Sequence, residues 1–215
     1  MLGILCGLES EARIARRVSG AVVACAAARP HKARDLARSL VQSGATRLLS
    51  FGIAGALDPS VRLGDLVIGT RVVSPAGAWM CDPAWGEKLA STLPFAQRGG
   101  VYGSETLVPT GIEKIALGQS TACAIVDMES QCAAEVAAEA GIPLMVLRAV
   151  CDGAGMNVPP VVMAAIAEDG TIHVRKATAH LLRHPAQWSD LFSVLCGTGK
   201  ALGTLKKASP ALRGS

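Results

Sequence analysis

The chain has 215 residues and a formal net charge of +4, with 50% hydrophobic and 18% charged residues. This composition excludes a disordered chain, and the length suffices for one sizeable core, so we expect a single domain over residues 1–215. A transmembrane helix is also excluded, because the longest uncharged stretch, residues 153–167, is shorter than the ~20 residues needed and contains two prolines.

Short apolar runs alternate with segments of helical periodicity along the chain. The predicted strands are residues 2–7, 21–28, 47–52, 65–74, 99–104, 122–127 and 144–151. The predicted helices are residues 9–18, 31–44 and 128–140, followed by a mainly helical region from residue 161 and a frayed end at residues 208–215. Strands that alternate with helices indicate a parallel sheet covered on both faces. We therefore predict a three-layer α/β/α sandwich with a mostly parallel central sheet.

The cysteine pattern and the distribution of charge indicate the cellular compartment of the protein and the classes of molecule it can bind. The seven cysteines form no CxxC motif and mostly lie in apolar runs, so we expect reduced thiols, a cytoplasmic protein and no metal site. No basic region precedes the apolar start, as a secretory signal requires. Basic residues concentrate near both ends of the chain. The alternatives for their side chains are binding of phosphate, contact with an anionic membrane surface, or plain solvation. Aromatic residues make up only 3%, which argues against nucleic-acid binding.

Carboxylates lie just beyond three of the predicted strands. Glu11 follows the first strand, Asp127 and Glu129 flank the start of a helix, and Asp152 ends the last strand. Carboxylates in so apolar a sheet are unfavourable unless they are paired or functional, and ligands of α/β proteins bind at the carboxyl ends of strands. Singly, helix capping explains some of them; together they suggest acid–base chemistry. Arg148 is expected to neutralise Asp127 or Glu129 as a structural pair.

A pair of glycines three residues apart follows the predicted strand 47–52. The run Gly52-Ile53-Ala54-Gly55 lets a backbone come close to a ligand, although a tight turn explains it equally well. It does not match the GxGxxG pattern of dinucleotide sites. We therefore expect a turn or a ligand loop here and no nucleotide cofactor.

Four motifs together resemble the purine nucleoside phosphorylase and 5′-methylthioadenosine/S-adenosylhomocysteine nucleosidase superfamily. They are the acidic turn in residues 3–11, the glycine run with Arg-Leu-Gly-Asp at 62–65, the segment 103–108, and Val-Asp-Met-Glu-Ser at 126–130 followed by residues 143–152. The last motif is the most specific, because a Met-Glu pair is followed, at a characteristic distance, by an apolar strand that contains an arginine and ends with an aspartate. The resemblance covers most of the chain to about residue 155. It implies an enzyme that cleaves the N-ribosidic bond of a purine nucleoside, works without metal or cofactor and forms a homo-oligomer.

The end of the chain resembles the hopanoid-associated phosphorylase branch, through residues 151–153 and 181–187. This resemblance implies that the enzyme releases adenine from adenosylhopane during hopanoid side-chain biosynthesis. A large apolar 5′ substituent needs an apolar entrance, and packing in the core or at an oligomer interface is the competing interpretation of the same residues. The candidates are Leu181, Leu182, Trp188, Leu191, Phe192, Val194, Leu195, Trp79, Met80 and Trp85. Nearby basic residues suggest a peripheral contact with the inner membrane as a further alternative.

The resemblance also implies roles for single residues. Asp152 resembles the general acid that protonates the leaving purine, and its carboxyl needs a raised pKa for that role. Glu129 resembles the residue that binds the ribose 2′- and 3′-hydroxyls, and Glu11 matches the carboxylate that activates water. The other predicted substrate contacts are Met128, Asp127, Leu107, Val108, Gly52, Ile53, Ala54 and Gly55.

The sequence leaves the nucleophile open between water and inorganic phosphate, which would then be a co-substrate. Ile53 stands where nucleosidases have a serine, which speaks against simple activation of water. Phosphate would need a cationic site, for which Arg29, Lys32 and Arg13 are the candidates, with plain solvation of these side chains as the alternative.

Two other functions stay open at this point. The first is a 5′-methylthioadenosine/S-adenosylhomocysteine nucleosidase, which Glu11 favours and Ile53 opposes. The second is a non-catalytic nucleoside-binding protein, which the aliphatic residues of the base segment allow. The acidic residues of the site are all present, which argues against a protein that has lost catalytic activity.

Overall fold

The computed structural model describes residues 1–159, 162, 166–171 and 188–213. The strands within these residues are β1 (Leu2–Cys6), β2 (Ala21–Cys25), β3 (Arg47–Ala56), β4 (Leu66–Ser74), β5 (Gly77–Met80), β6 (Gln97–Gly103), β7 (Ile125–Asp127) and β8 (Leu144–Asp152). The α-helices there are α1 (Glu9–Ala15), α2 (Pro30–Gln42), α3 (Pro83–Thr92), α4 (Gly111–Thr121), α5 (Ser130–Ala140) and α6 (Trp188–Ala208).

The strands form one mixed sheet. Their order is β2-β1-β3-β7-β6-β4-β5, and β8 pairs with both β3 and β4. Five pairings are parallel, while β3–β7, β4–β5 and β4–β8 are antiparallel. The α/β fold with mainly parallel pairing is thus confirmed. A feature that the sequence pattern does not predict is that β3, β8, β4, β6 and β7 close into a ring.

The core lies around β8 and its neighbours. Every residue of β8 is buried, as expected for a continuous apolar run in the middle of an α/β sheet. The helices α2 and α5 pack against each other and against the sheet, and α6 packs against β8, β3 and α1. Because β8 is covered so completely, its two charged residues, Arg148 and Asp152, need partners inside the protein.

Three elements of the fold were not predicted, namely β5, α3 and α4. Helix α3 begins with a capping bond, in which Asp82 accepts the N–H of Trp85 at 2.7 Å, and with Pro83 in its first turn. Helix α4 begins with a capping box formed by Thr110 and Glu113. Both start signals are in the sequence, but glycines within these helices weaken the helical pattern that follows them.

The end of the described chain is ordered. After α6, Ser209–Leu212 forms a short 3₁₀ helix, and Ala208 and Leu212 are buried in the main core. The expected fraying is therefore wrong for residues 208–212, because their apolar side chains have a site to fill. Within the described residues, α6 and the other helices are each too short or too polar to cross a membrane.

Strand β3 is longer than predicted and continues to Ala56. The predicted turn or loop at residues 52–55 is wrong, because β8 pairs with this stretch as far as Gly55 opposite Asp152. Strand β7 then pairs with Gly55 and Ala56 from the other edge. The two glycines thus lie within a strand, where the absence of a side chain leaves room for neighbouring groups.

Candidate active site

A gap along one edge of β3 forms the centre of the site. Strand β1 pairs with β3 only at residues 47–50, and β7 pairs only with Gly55 and Ala56. Between them, side chains satisfy the backbone of Ile53. Its N–H donates to Oε1 of Glu11 at 2.8 Å, and its carbonyl accepts from Nη1 of Arg148 at 3.2 Å. The gap therefore draws a buried carboxylate and a buried guanidinium to the same residue.

The glycines of β3 leave room for the charged groups of the site. A Cβ at Gly52 would lie 2.6 Å from Nη1 of Arg148 and 2.6 Å from Cδ of Glu11. A Cβ at Gly55 would lie 2.8 Å from Oδ2 of Asp152. Both glycines are thus explained by close approach of side chains from the protein itself.

A register shift places Asp152 opposite Gly55. Ala54 pairs with Val150, but the next residue of β3 pairs with Asp152, so that Cys151 is the additional residue on β8. An extra residue of this kind changes the direction of the side chain that follows it. It brings the carboxyl of Asp152 to the same stretch of β3 that binds Glu11 and Arg148.

Glu11 is buried and accepts hydrogen bonds from three backbone N–H groups. Besides Ile53, the N–H groups of Gly7 and Leu8 each donate to its Oε2 at 2.8 Å, which ties the β1–α1 turn to the carboxylate. Burial raises the pKa of Glu11, although Arg148 and these hydrogen bonds act in the opposite direction. The bonds use three of the roughly four lone-pair positions of a carboxylate, so one remains for another donor.

Arg148 is the cation around which three carboxylates gather. Its Nη2 lies 3.1 Å from Oε2 of Glu129, its Nε lies 2.8 Å from Oδ2 of Asp127, and it donates to Ser50 Oγ at 2.6 Å. The expected pairing is confirmed, with both acids as partners. Burial alone would lower the pKa of Arg148, but the surrounding carboxylates outweigh it and raise that pKa. We call Glu11, Asp127, Glu129 and Arg148 the Arg148 cluster.

The oxygens of Asp127 bind groups of the protein itself. Its Oδ1 accepts from the N–H groups of Glu129 at 3.1 Å and Ser130 at 2.8 Å, and its Oδ2 binds the Ser130 hydroxyl as well as Arg148. These contacts satisfy the first N–H groups at the start of α5. The sequence predicts Asp127 among the substrate contacts, whereas in the structure it supports Glu129 and Arg148.

The pKa of Glu129 is raised strongly by its surroundings in the cluster. Burial is the largest cause and raises its pKa to about 8, with Arg148 opposing and Asp127 and Glu11 adding to the increase. A Cβ at Gly7 would lie 2.6 Å from its Oε1, so the β1–α1 turn passes directly beside the carboxylate. Three acids share one guanidinium here, and the cluster has surplus negative charge when all of them are ionised.

Asp152 has a cation of its own. The ammonium group of Lys114 on α4 forms an ion pair with Oδ2 of Asp152, and both residues are buried. On the other side, Sγ of Cys151 lies 3.1 Å from Oδ1. Sequence reasoning did not single out Lys114, because α4 itself was not predicted. The capping box that begins at Thr110 is the sequence signal that predicts this helix, and Lys114 then lies in its second turn.

Two of the three cations proposed for phosphate bind the same residue, Glu168, and the third binds elsewhere. Arg29 lies 3.7 Å from the Glu168 carboxylate, and Lys32 donates to the Glu168 carbonyl at 2.8 Å. Arg13 instead pairs with Glu9 at 3.4 Å, and 71% of its side chain is exposed. A phosphate bound by Arg29 and Lys32 would therefore compete with Glu168.

The residues predicted to contact the base and the sugar floor are partly accessible. Leu107, Val108 and Met128 are half-buried, and Val108 packs against a small apolar cluster that includes Leu57 and Val126. Strand β7 ends directly before Met128, which places this side chain between Asp127 and Glu129 in the chain. The structure thus keeps apolar surface available next to the Arg148 cluster.

The predicted apolar entrance is only partly supported. Trp85 is buried and stacks 5.3 Å from the Arg47 guanidinium at the beginning of β3, so its expected place at the entrance is wrong. Leu181 and Leu182, and the side chains of Trp188 and Leu191, lie outside the described residues. The remaining candidates are the buried Val194, the half-buried Trp79 and the exposed Met80, Phe192 and Leu195.

Helix α6 reaches the end of β8. A Cβ at Gly197 would lie 1.9 Å from the carbonyl oxygen of Cys151, so the helix backbone touches the strand next to Asp152. Phe192 and Leu195 lie within two turns of this contact on the same helix. Exposed apolar side chains therefore lie on the element that borders the Asp152–Lys114 pair.

Comparisons with known proteins agree with this architecture, although no curated protein matches the sequence. The futalosine hydrolase of Helicobacter pylori is 15% identical, with a TM-score of 0.74 over 98% of this chain and 96% of its own. The 5′-methylthioadenosine/S-adenosyl homocysteine nucleosidase of the same organism is 16% identical, with a TM-score of 0.74 over 98% and 96%. The Colwellia psychrerythraea nucleosidase, solved with adenine, is 17% identical, with a TM-score of 0.67 over 95% of both chains.

These likenesses establish the fold. The sequence of residues 18–184 matches the phosphorylase superfamily, and this stretch is more than half of the chain. The chain therefore belongs to the phosphorylase superfamily, whose enzymes cleave N-glycosyl bonds.

Proposed function

We propose that this protein cleaves the N-glycosidic bond of an adenine nucleoside, with Asp152 as the acid that protonates the base and Glu129 as the ligand of the ribose hydroxyls. The observation that carries the proposal is that Glu11 and Asp152 both approach residues 52–55 of β3, while Glu129 is joined to the same stretch through Arg148. We propose that a sugar and a base joined by one bond reach all three carboxylates.

The surplus charge of the Arg148 cluster suits the transition state of this reaction. Cleavage of a glycosidic bond passes through a sugar with oxocarbenium character, and fixed negative charge nearby stabilises it. As a carboxylate, Glu129 can accept hydrogen bonds from both ribose hydroxyls, whereas its protonated form uses one oxygen as a donor. Hydroxyl donors favour this ionised form, so substrate binding should lower the raised pKa of Glu129.

We propose water as the nucleophile and Glu11 as the base that orients it. Glu11 keeps one lone-pair position after binding three backbone donors, and burial makes its carboxylate more basic than an exposed one. The cations required for phosphorolysis, Arg29 and Lys32, are engaged with Glu168. Phosphorolysis remains the alternative outcome of the experiment below.

We further propose that the nucleoside carries a large apolar 5′ substituent, with adenosylhopane as the specific substrate in hopanoid side-chain biosynthesis. Support comes from the resemblance of residues 151–153 to the hopanoid-associated branch. Phe192 and Leu195 add exposed apolar surface on α6, on the face turned away from its contact with β8 beside Asp152. Methylthioadenosine is the competing substrate, because the nucleosidases of similar fold are named for it.

The proposal includes a cytoplasmic homo-oligomer with a peripheral contact at the inner membrane. Exposed apolar side chains such as Met80, Phe95 and Ile112 are suited to contacts between copies of the chain. Light scattering of the purified protein measures the oligomer, and flotation with anionic vesicles measures the membrane contact. A monomer that stays unbound would contradict this part of the proposal.

The test is release of adenine from adenosylhopane, methylthioadenosine and adenosine, with and without phosphate. We expect release without phosphate, with the highest kcat/KM for adenosylhopane. Asp152→Asn and Glu129→Gln should each lower kcat by roughly 10²–10³-fold while the far-ultraviolet circular dichroism stays unchanged. Strict dependence on phosphate would replace hydrolysis by phosphorolysis, and near-normal rates in both variants would contradict the proposed roles.

A further inference from the structure

Lys114 is a buried cation without an assigned role in the superfamily motifs described above. Only 1% of its surface is exposed, and its Nζ pairs with Oδ2 of Asp152. The same ammonium donates to the carbonyls of Met156 at 3.0 Å and Gly153 at 3.4 Å. All three of its hydrogens therefore have acceptors, and the side chain is held in one place.

The segment that follows Asp152 is fixed to the beginning of α4. A Cβ at Gly111 would lie 2.6 Å from the carbonyl of Gly155, and the Gly111 N–H donates to Oδ1 of Asn157 at 3.1 Å. The N–H of Val158 donates to the Pro109 carbonyl at 2.7 Å. Lys114 thus belongs to a rigid frame that holds the end of β8.

Stability alone is a poor explanation for this buried pair. Desolvation of a carboxylate and an ammonium offsets much of their attraction, so an apolar pair of similar volume would serve the core as well. The pair also leaves the carboxyl oxygens in different surroundings. Oδ2 faces Lys114, whereas Oδ1 has only the weak thiol of Cys151 beside it among the contacts of the described residues.

We propose that Lys114 is a positioning residue for Asp152, which fixes Oδ2, leaves Oδ1 to face the leaving purine, and stabilises the carboxylate that remains after proton transfer. The inference rests on the proposed function. In the step, the O–H bond of Asp152 breaks and an N–H bond forms on the purine. The C–N bond breaks with its electron pair going to the purine, while the water that Glu11 orients bonds to the anomeric carbon and gives a proton to Glu11. The new carboxylate of Asp152 stays beside the ammonium.

Two consequences follow for the kinetics. Because Lys114 holds Asp152 and the new carboxylate, its loss should lower kcat with little change in KM. A different cation at the same position should restore part of kcat. Glu11 lies close enough to influence Cys151, the neighbour of Asp152, and Glu11 is unchanged in variants of Lys114.

The experiment measures kcat and KM for adenine release by the wild type, Lys114→Met and Lys114→Gln. We expect kcat to fall roughly 10- to 100-fold with little change in KM. Lys114→Gln keeps hydrogen-bond donors without charge, and it serves also if Lys114→Met does not fold. A kcat close to that of the wild type in the folded variants, or a loss that appears only in KM, would overturn the inference.

Two controls separate charge from structure. Lys114→Arg retains the cation, and its kcat should exceed that of Lys114→Gln. Glu113→Ala breaks the capping box with Thr110 on the same helix but leaves the charge beside Asp152 intact. It should lower the melting temperature and keep kcat near that of the wild type. A loss of kcat in Glu113→Ala equal to that in Lys114→Met would show that only the position of α4 matters.

A second readout does not depend on turnover. Crystal structures of the wild type and of Lys114→Met should differ in the position of the Asp152 carboxyl, because Oδ2 has lost its partner on α4. If the wild type releases no adenine from any nucleoside, the proposed function fails and this comparison alone decides about Lys114. An Asp152 carboxyl in the same position in both structures would overturn the inference in that case too.

Discussion

The two acidic regions beside β3 differ in their balance of charge. In the Arg148 cluster three carboxylates share one guanidinium, whereas Asp152 is the one carboxylate of the described residues that pairs with the ammonium of Lys114. A surplus of negative charge suits a place where a cation develops, and a balanced pair suits a group that exchanges a proton. The number of cations for each buried carboxylate, more than burial itself, therefore distinguishes the two parts of the proposed reaction.

The largest effect on this comparison should come from removing the shared cation. Arg148→Met leaves buried carboxylates without their partner, and the free energy of unfolding should fall by about 3–5 kcal/mol. Guanidinium chloride denaturation measures the loss. Arg38→Met is the matched control, because Arg38 pairs with Glu139 at 3.3 Å on the surface and should contribute less than about 1 kcal/mol. Equal losses in the two variants would remove the distinction between buried and exposed pairs.

A methyl group at Gly52 should disturb the cluster without removing any charge. Gly52→Ala places a Cβ against Arg148 and Glu11, and we expect the free energy of unfolding to fall by about 2–3 kcal/mol. Gly203→Ala, on α6 with open space around it, should instead stabilise the protein by up to about 1 kcal/mol. Denaturation of both variants under the same conditions tests the close approach, and an unchanged stability of Gly52→Ala would contradict it.

The smallest of the three expected effects, counted per pH unit, is the pH dependence of the free energy of unfolding. It tests the surplus of negative charge that distinguishes the Arg148 cluster from the Asp152–Lys114 pair. The raised pKa of Glu129, about 8 against an ordinary 4.5, means that the folded chain binds more protons than the unfolded chain between these values. The free energy of unfolding should therefore decrease as pH rises from about 4.5 to 8, with Glu129 contributing at most about 1.4 kcal/mol for each pH unit. Glu129→Gln should flatten this slope, and a slope as steep as that of the wild type would contradict the assignment.

Most of the fold follows from local sequence signals. The strands of the centre are continuous apolar runs, and the helices α2 and α5 end at Gly44 and Gly141 as their patterns predict. The closed ring of strands is different in kind. It depends on β7 pairing antiparallel with β3 over only two residues, a contact between distant segments that no local pattern encodes.

The sequence predicted the residue types of the candidate site better than it predicted which side chains contact each other there. The carboxylates after strands, and the pairing of Arg148, follow from the cost of leaving charge unpaired in an apolar sheet. The glycine run was misinterpreted, because the side chains that approach Gly52 and Gly55 come from other elements. Lys114 was missed for a similar reason: its partner Asp152 is 38 residues away, and only the packing of α4 brings them together.

The extended conformation of β3 also sets a length scale for the substrate. From Gly52, beside Glu11, to Gly55, beside Asp152, the strand advances three peptide steps, about 10 Å. That span is comparable to the long dimension of a purine nucleoside. Gly52 is paired with β8, and Gly55 is paired with both β8 and β7. Because neither end can move without breaking this pairing, the spacing between them is fixed. Compounds in which the sugar and the heterocycle are set closer together or farther apart should fail to engage both ends at once.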